Sequence, residues 1–185
     1  MPIKKIINAA EELLKNKTHV IIAIDGRCGA GKTTLSEKLK AEFSANLIHT
    51  DDFFLPEDKK TEKRLSEAGG NIDYERFYNE VIKKLKNIEG FSFRPYNCTL
   101  KTLDRPIIIV PEPVTIIEGS YSLHPFFGDY ADLRIFMDIS PEEQKKRLKA
   151  RNECLLERFE NEWIPMEERY FNEFKIREKC DFIFR

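Results

Sequence analysis

Ile3, Ile6, Ile7, Ala10, Leu13 and Leu14 recur at helical spacing, so the chain is predicted to open with an amphipathic helix over 3–14. The period then changes. Residues 19–25 carry Val20-Ile21-Ile22-Ala23-Ile24 with no polar alternation, the pattern of a parallel strand covered on both faces. A helix is expected over about 32–43, short strands at 47–50, 114–118, 133–139 and 182–184, and helical stretches near 73–87 and 141–159. Such alternation builds an open parallel sheet. Two regions fall outside it. Residues 55–71 are polar and end in Gly69-Gly70-Asn71, as a mobile connection or flap would. Residues 91–113 hold Pro95, Pro106, Pro111 and Pro113 around two short β-like runs, 91–96 and 107–110, which predict a small hairpin beside the main sheet.

Composition narrows the class. The 185 residues are 41% apolar and 34% charged, which argues against a disordered chain and against a membrane protein, and suits one compact domain. The formal net charge of -1 gives no basic field for general nucleic-acid or lipid-surface binding, so an anion must be held locally. The first 17 residues have no uninterrupted apolar stretch of the signal-peptide kind, and no later segment reaches bilayer-spanning length, so a cytoplasmic protein is expected. Cys28, Cys98, Cys154 and Cys180 are scattered without a Cys-x-x-Cys pair, as are His19, His49 and His124, which favours free thiols and gives no zinc pattern.

Gly26-Arg27-Cys28-Gly29-Ala30-Gly31-Lys32-Thr33 satisfies Gly-x-x-x-x-Gly-Lys-Ser/Thr, and it lies between an apolar strand and a helix. Its glycines let backbone N–H groups turn inward around phosphate oxygens, and the helix start adds positive potential. Lys32 would neutralise the β and γ phosphates, and the Thr33 hydroxyl would serve Mg²⁺, a cation that takes oxygen ligands. The expected ATP-binding set is Gly26, Gly29, Ala30, Gly31, Lys32, Thr33 and Thr34. Asn-Lys-x-Asp, the guanine-reading signature, is absent, since Asn16-Lys17-Thr18 continues into His19. A small-molecule kinase becomes the leading class.

Three further elements carry chemistry. His49-Thr50-Asp51-Asp52-Phe53-Phe54 follows the second predicted strand, at the carboxyl edge where doubly wound sheets bind ligands. Asp51 is the candidate base for an attacking hydroxyl; the competing reading makes Asp51 or Asp52 an N-cap. Val114-Thr115-Ile116-Ile117-Glu118 ends an apolar strand in a carboxylate suited to Mg²⁺ or its water, whereas Asp138, before Ser140-Pro141, suits a capping or structural duty. Gly119-Ser120-Tyr121-Ser122-Leu123 is not a nucleophile elbow, so His124 does not suggest a hydrolase. On one continuous helix Arg147, Arg151 and Arg158 would share a face, able to close over ATP and offset phosphoryl charge; ordinary ion pairing such as Glu143 with Arg147 is the rival reading. Cys28, beside a helix N-terminus, is a candidate for a lowered thiol pKa and sensitivity to oxidation.

With these elements in this order, the chain resembles the uridine kinase and phosphoribulokinase group over nearly its whole length. The specific features are Asp51-Asp52-Phe53-Phe54, Asn71-Ile72-Asp73, Tyr96-Asn97-Cys98-Thr99, Ile117-Glu118-Gly119 and the arginine-bearing helix. The resemblance implies a three-layer α/β P-loop kinase fold, with a mainly parallel central sheet, helices on both faces, a small β-hairpin substrate region and a helical lid. It implies a single domain over 1–185, with acceptor-binding insertions at about 52–113 and the lid at about 141–165. Asp51 would then be the catalytic base and Glu118 would serve magnesium; Asp73 would bind ribose hydroxyls, Tyr96 would line the nucleoside pocket, and Arg147, Arg151 and Arg158 would be lid arginines. Activity would be ATP-dependent phosphorylation of the 5′ hydroxyl of uridine or a related nucleoside. The chain departs where uridine kinases carry Tyr-Asp-Phe and a base-contacting His three residues on, reading Tyr96-Asn97-Cys98 and then Lys101. Lys has donors only, so an anionic acceptor stays open: a sugar phosphate or pantothenate, with nicotinamide riboside a further alternative. So does a nucleotide-binding regulatory protein without an acceptor. No oligomerisation element is visible, and a homo-oligomer is left open.

Overall fold

The computed structural model describes residues 2–86 and 89–185, so residue 87, the predicted end of the helical stretch from 73, lies outside it. In chain order the main elements are α1 (Pro2–Leu14), β1 (Val20–Gly26), α2 (Lys32–Phe43), β2 (Asn46–His49), α3 (Glu62–Ser66), α4 (Tyr74–Glu80), β3 (Phe91–Phe93), β4 (Tyr96–Asn97), β5 (Thr102–Leu103), β6 (Ile107–Ile109), β7 (Val114–Glu118), β8 (Leu133–Met137), α5 (Pro141–Arg151), α6 (Leu156–Arg158), α7 (Ile164–Phe174) and β9 (Phe182–Phe184). The five predicted long-range strands pair in parallel, in the order β2-β7-β1-β8-β9.

β1 lies at the centre and is buried along its whole length, which is why its sequence shows no polar alternation. Its side chains still alternate by face. Val20, Ile22 and Ile24 pack with Ile6 and Ala10 of α1 and Leu35 and Leu39 of α2, whereas Ile21 joins Ile48, Ile117 and Phe136 under Phe77 of α4 and Tyr170 and Phe171 of α7. Helices on both faces of one sheet make the three layers. The expected hairpin is present as β3 against β6 in antiparallel register, with the shorter pair β4–β5 beyond it.

Register gathers the chemistry. Ile24 pairs with Glu118, and Glu118 with His49, while Gly26 pairs with Met137, so the carboxyl ends of β2, β7, β1 and β8 share one rim. From β1 the chain turns one way to β2 and later the other way to β8, which opens a crevice at that rim.

Two expectations are corrected. The helix predicted over 141–159 ends at Arg151, because Asn152 is extended at φ -162 and ψ 95 while its N–H caps Leu148 O. A 3-10 turn, α6 and a π turn (Phe159–Trp163) follow before α7, which the pattern reading did not assign. The 55–71 connection, expected to be a mobile flap, is structured. Leu55 N–H donates to Asn71 O at 2.8 Å, and Arg64 reaches Gly70 O, Ile72 O and both oxygens of Glu75 while covering the Tyr74 ring. No described helix is long and apolar enough to cross a membrane.

Candidate active site

The loop between β1 and α2 turns at Gly26, whose φ of 130 lies where L side chains are strained. A Cβ there would also overlap the Met137 carbonyl oxygen on β8. Ala30 is buried and closes the turn with N–H to Arg27 O at 3.1 Å; Thr33 and Thr34 begin α2 exposed, in its N-terminal turn. Lys32 folds back so that Nζ donates to Gly26 O at 2.6 Å, Arg27 O at 3.1 Å and Ser120 Oγ at 3.2 Å. It thereby stands at the head of the loop, its charge also felt by Asp51.

Glu118 lies at the end of β7 and is buried. Its Oε1 accepts from Thr33 Oγ1 at 3.3 Å and sits 2.6 Å from His49 Nδ1. That bond to Glu118 raises the His49 pKa against the opposing effect of burial, with the Glu118, Asp52 and Asp51 charges adding to the rise. A hydroxyl and a carboxylate oxygen this close form the hard donor set that suits Mg²⁺.

Asp51 and Asp52 follow β2 in a 3-10 turn (Thr50–Phe53) whose N-terminal flank is His49, with no side-chain cap, so neither acid acts as the N-cap weighed for it. Water reaches Asp51 from the crevice while protein encloses it elsewhere. That enclosure raises its pKa, the Glu118 and Glu167 charges add to the rise, and Lys32 and His49 oppose it. Asp73 is buried as the N-cap of α4, with Oδ1 accepting Arg76 N–H at 3.1 Å and Oδ2 paired to Lys59 at 2.8 Å. Its own N–H bonds Phe53 O at 2.8 Å and Arg76 reaches Asp52 O at 2.9 Å, so Asp73 and the Asp51 turn form one neighbourhood, which β4 with buried Tyr96 also touches. Lys101 is exposed in the β4–β5 turn at φ 55.

The three arginines separate. Arg147 makes the ion pair with Glu143 at 3.0 Å and also donates to Gly29 O of the loop at 3.2 Å. Arg151 ends α5 exposed, with no ion-pair partner among the described residues. Arg158 turns to Glu162 at 2.9 Å and lies over the Trp163 ring at 4.9 Å; the break at Asn152 is what takes it off the Arg147 face. Asp138 is structural: Oδ1 accepts from Arg27 and from Ile139 N–H, and Oδ2 from Arg185 at 3.0 Å. Cys28 is corrected as well. Burial first, then Glu167, pushes its thiol pKa up, so the loop's positive end does not yield a thiolate. All four cysteines are free.

Several site residues were missed. Asp25 is fully buried just before the loop, its Oδ1 accepting from Gly26 N–H at 2.7 Å and Tyr121 N–H at 3.2 Å, its Oδ2 from Leu123 N–H at 3.0 Å and Tyr170 OH at 2.7 Å. These bonds hold the 119–123 turn, where Tyr121 takes the costly φ of 76 and a Cβ on Gly119 would strike Thr50. A lone carboxylate closing an apolar strand was the signal for Asp25. Glu167 and Glu168, on α7, bond Cys28 N–H at 3.0 Å and Arg27 Nε at 2.5 Å, and nothing near them in sequence foretold it.

A central parallel strand feeding a phosphate loop, with acids gathered on the adjacent strand ends, defines the class of phosphate-loop kinases. Solved structures agree on the fold: one titled as a possible uridine kinase from Bacillus stearothermophilus superposes with TM-score 0.72 at 17% identity, over 98% of this chain and 100% of that one. Within that class the sequence fixes the family. The model of the Phosphoribulokinase / Uridine kinase family matches residues 21–149, and the chain belongs to that family. Curated relatives include a uridine kinase of Chlamydia pneumoniae, 28% identical over 82% of this chain and 75% of the relative, and one of Ureaplasma parvum serovar 3, 27% identical over 70% and 67%.

Proposed function

We propose that the protein transfers the γ-phosphoryl group of ATP to the 5′ hydroxyl of uridine or a related nucleoside. The observation that carries this is Lys32 folded over the head of the phosphate loop beside the Thr33–Glu118 oxygen pair, with Asp51 in the turn directly after His49, whose ring meets the same Glu118 carboxylate. Loop N–H groups and Lys32 bind the phosphates. Asp51 takes the acceptor's hydroxyl proton as that oxygen bonds to the γ phosphorus, and the bond from phosphorus to the β–γ bridging oxygen breaks, leaving ADP. Its raised pKa makes Asp51 a stronger base than an ordinary aspartate. Thr33 and Glu118 would hold Mg²⁺, which supplies charge neutralisation at the phosphates. Arg147, already on Gly29 O, and Arg151 belong to a lid over 141–165 that excludes water. Asp73 and Tyr96 are the acceptor-side groups, with Lys101 and Arg158 at the entrance.

A second reading has one observation in its favour. Glu57, exposed, has its pKa lowered first by its bond to Lys60 and further by Lys101 and Arg158, so three cations act on one surface carboxylate. They would suit an anionic acceptor such as a sugar phosphate. Mass spectrometry with Mg-ATP and a panel of ribonucleosides, pantothenate and sugar phosphates decides between them. A nucleoside monophosphate is expected from the unmodified protein, and Asp51→Asn should bind ATP yet lose about 10²–10⁴-fold in transfer. Near-normal turnover in Asp51→Asn removes its role, a phosphorylated anion selects the second reading, and ATP loss without any product favours a non-kinase protein.

A further inference from the structure

We propose that Glu167 sets the loop's discrimination between nucleoside triphosphate and diphosphate, its carboxylate standing in for an anion at the β/γ end of the loop until a terminal phosphate displaces it. The inference rests on the ATP-dependent reading above.

Glu167 lies on the inward stripe of α7 with Tyr170 and Phe171, where packing alone would call for an apolar residue. It is 6% exposed, and no Lys or Arg forms an ion pair with it among the described residues. Burying a carboxylate without a paired cation is costly unless hydrogen bonds replace its water. Both oxygens are so engaged, and both face the phosphate site: Oε2 accepts the Cys28 backbone N–H at 3.0 Å, and Oε1 accepts Ser120 Oγ at 2.5 Å. The first donor is of the kind that phosphate-loop backbones offer to phosphate oxygens. The second is one hydroxyl from Lys32, since Ser120 Oγ is 3.2 Å from Nζ, and Lys32 is the residue that reaches the β and γ phosphates.

The rest of the loop is held independently. Gln144 Nε2 donates to Cys28 O at 2.9 Å, Arg147 to Gly29 O at 3.2 Å, and Glu168 grips the Arg27 side chain. Asp25 takes the Gly26 N–H at the strand end of the loop, whereas Glu167 brings its carboxylate to the Cys28 N–H and, through Ser120, to the Lys32 end. A γ phosphate arriving beside Lys32 meets that charge, whereas a diphosphate ends short of it. The π turn over Phe159–Trp163, directly before α7, is a helical irregularity of the sort that absorbs small register shifts.

Calorimetry of the full chain with Mg²⁺ and either ADP or a non-hydrolysable ATP analogue reads the effect without an acceptor. Glu167→Gln keeps an acceptor for Cys28 N–H and removes the charge. Its Kd for the triphosphate should fall about tenfold, roughly 1.4 kcal/mol, with the diphosphate Kd unchanged within about twofold. An equal shift for both, or weaker triphosphate binding, overturns the inference while leaving the kinase reading intact. Failure of the unmodified protein to bind either nucleotide brings down both. Should Glu167→Gln not fold, hydrogen exchange of the unmodified protein takes its place: residues 164–174 should exchange faster with the triphosphate analogue than with ADP, and equal or slower exchange overturns the inference.

Discussion

Asp25 and His124 are buried titratable groups whose pKa values move in opposite senses. Burial is the main cause for Asp25, raising it from 3.8 to about 6 against the pull of the Leu123, Tyr170 and Gly26 donors. Its contribution to stability is complete below pH 3.8 and is lost as pH rises through 6. His124 is lowered from 6.5 to about 4, again chiefly by burial. Its Nε2 bonds Ala68 O at 3.2 Å and its Nδ1 accepts Phe126 N–H at 3.2 Å, so a second ring proton has to break that acceptor bond. His124 therefore contributes stability above pH 6.5 that disappears as pH falls through 4, roughly 3 kcal/mol in all. The two effects offset each other between pH 4 and 6 in the intact protein. Removing one exposes the other: His124→Asn, which also loses the stacking on Tyr74, should be less stable at pH 7 yet lose little or gain on acidification to pH 4, read by urea midpoints. The same pH dependence as in the unmodified protein would clear His124 of the effect.

At the scale of elements, β1 and its loop act as one unit. The strand supplies Asp25 to brace the 119–123 turn, and Gly26 lets the loop pass β8 closely enough for Arg27 N–H to bond Met137 O at 3.1 Å. Gly26→Ala should cost about 2–4 kcal/mol in urea unfolding and abolish nucleotide binding, because the added methyl must displace backbone rather than a side chain. Unchanged stability would mean that the strand pair can part there at no cost. Much of this level was legible. The apolar run of β1, the glycine spacing and the Ser140-Pro141 helix start are local signals, and Ser140 does cap α5. The helix end at Asn152 was not, since α-helix and turn compete there with neither Gly nor Pro to decide, and packing of the segment that follows tips the balance. The reading of one arginine face failed with it.

On the scale of the whole molecule, nucleotide binding and folding draw on the same contacts, for the loop is held by β8, the 119–123 turn, α5 and α7 at once. A nucleotide at about 100 times its Kd adds roughly 2.7 kcal/mol, or about 5–10 °C in Tm for a chain of this size. Mg²⁺ with ATP should give the larger rise and chelation of the metal a smaller one, with Glu118→Gln removing the difference in a thermal melt; an equal metal-dependent rise in that variant would take Glu118 out of the metal site. The sequence alone determined the five parallel strands in their chain order, the two helices flanking β1, the phosphate loop and the acids at strand ends, because periodicity, glycine spacing and strand-end position are short-range and survive in one dimension. Only the tertiary structure decided which side chains meet: register put His49 on Glu118, the β7–β8 crossover brought Ser120 to Lys32, and a helix more than 130 residues later set Glu167 against Cys28. Contacts of that separation depend on how layers pack, and no local pattern encodes them.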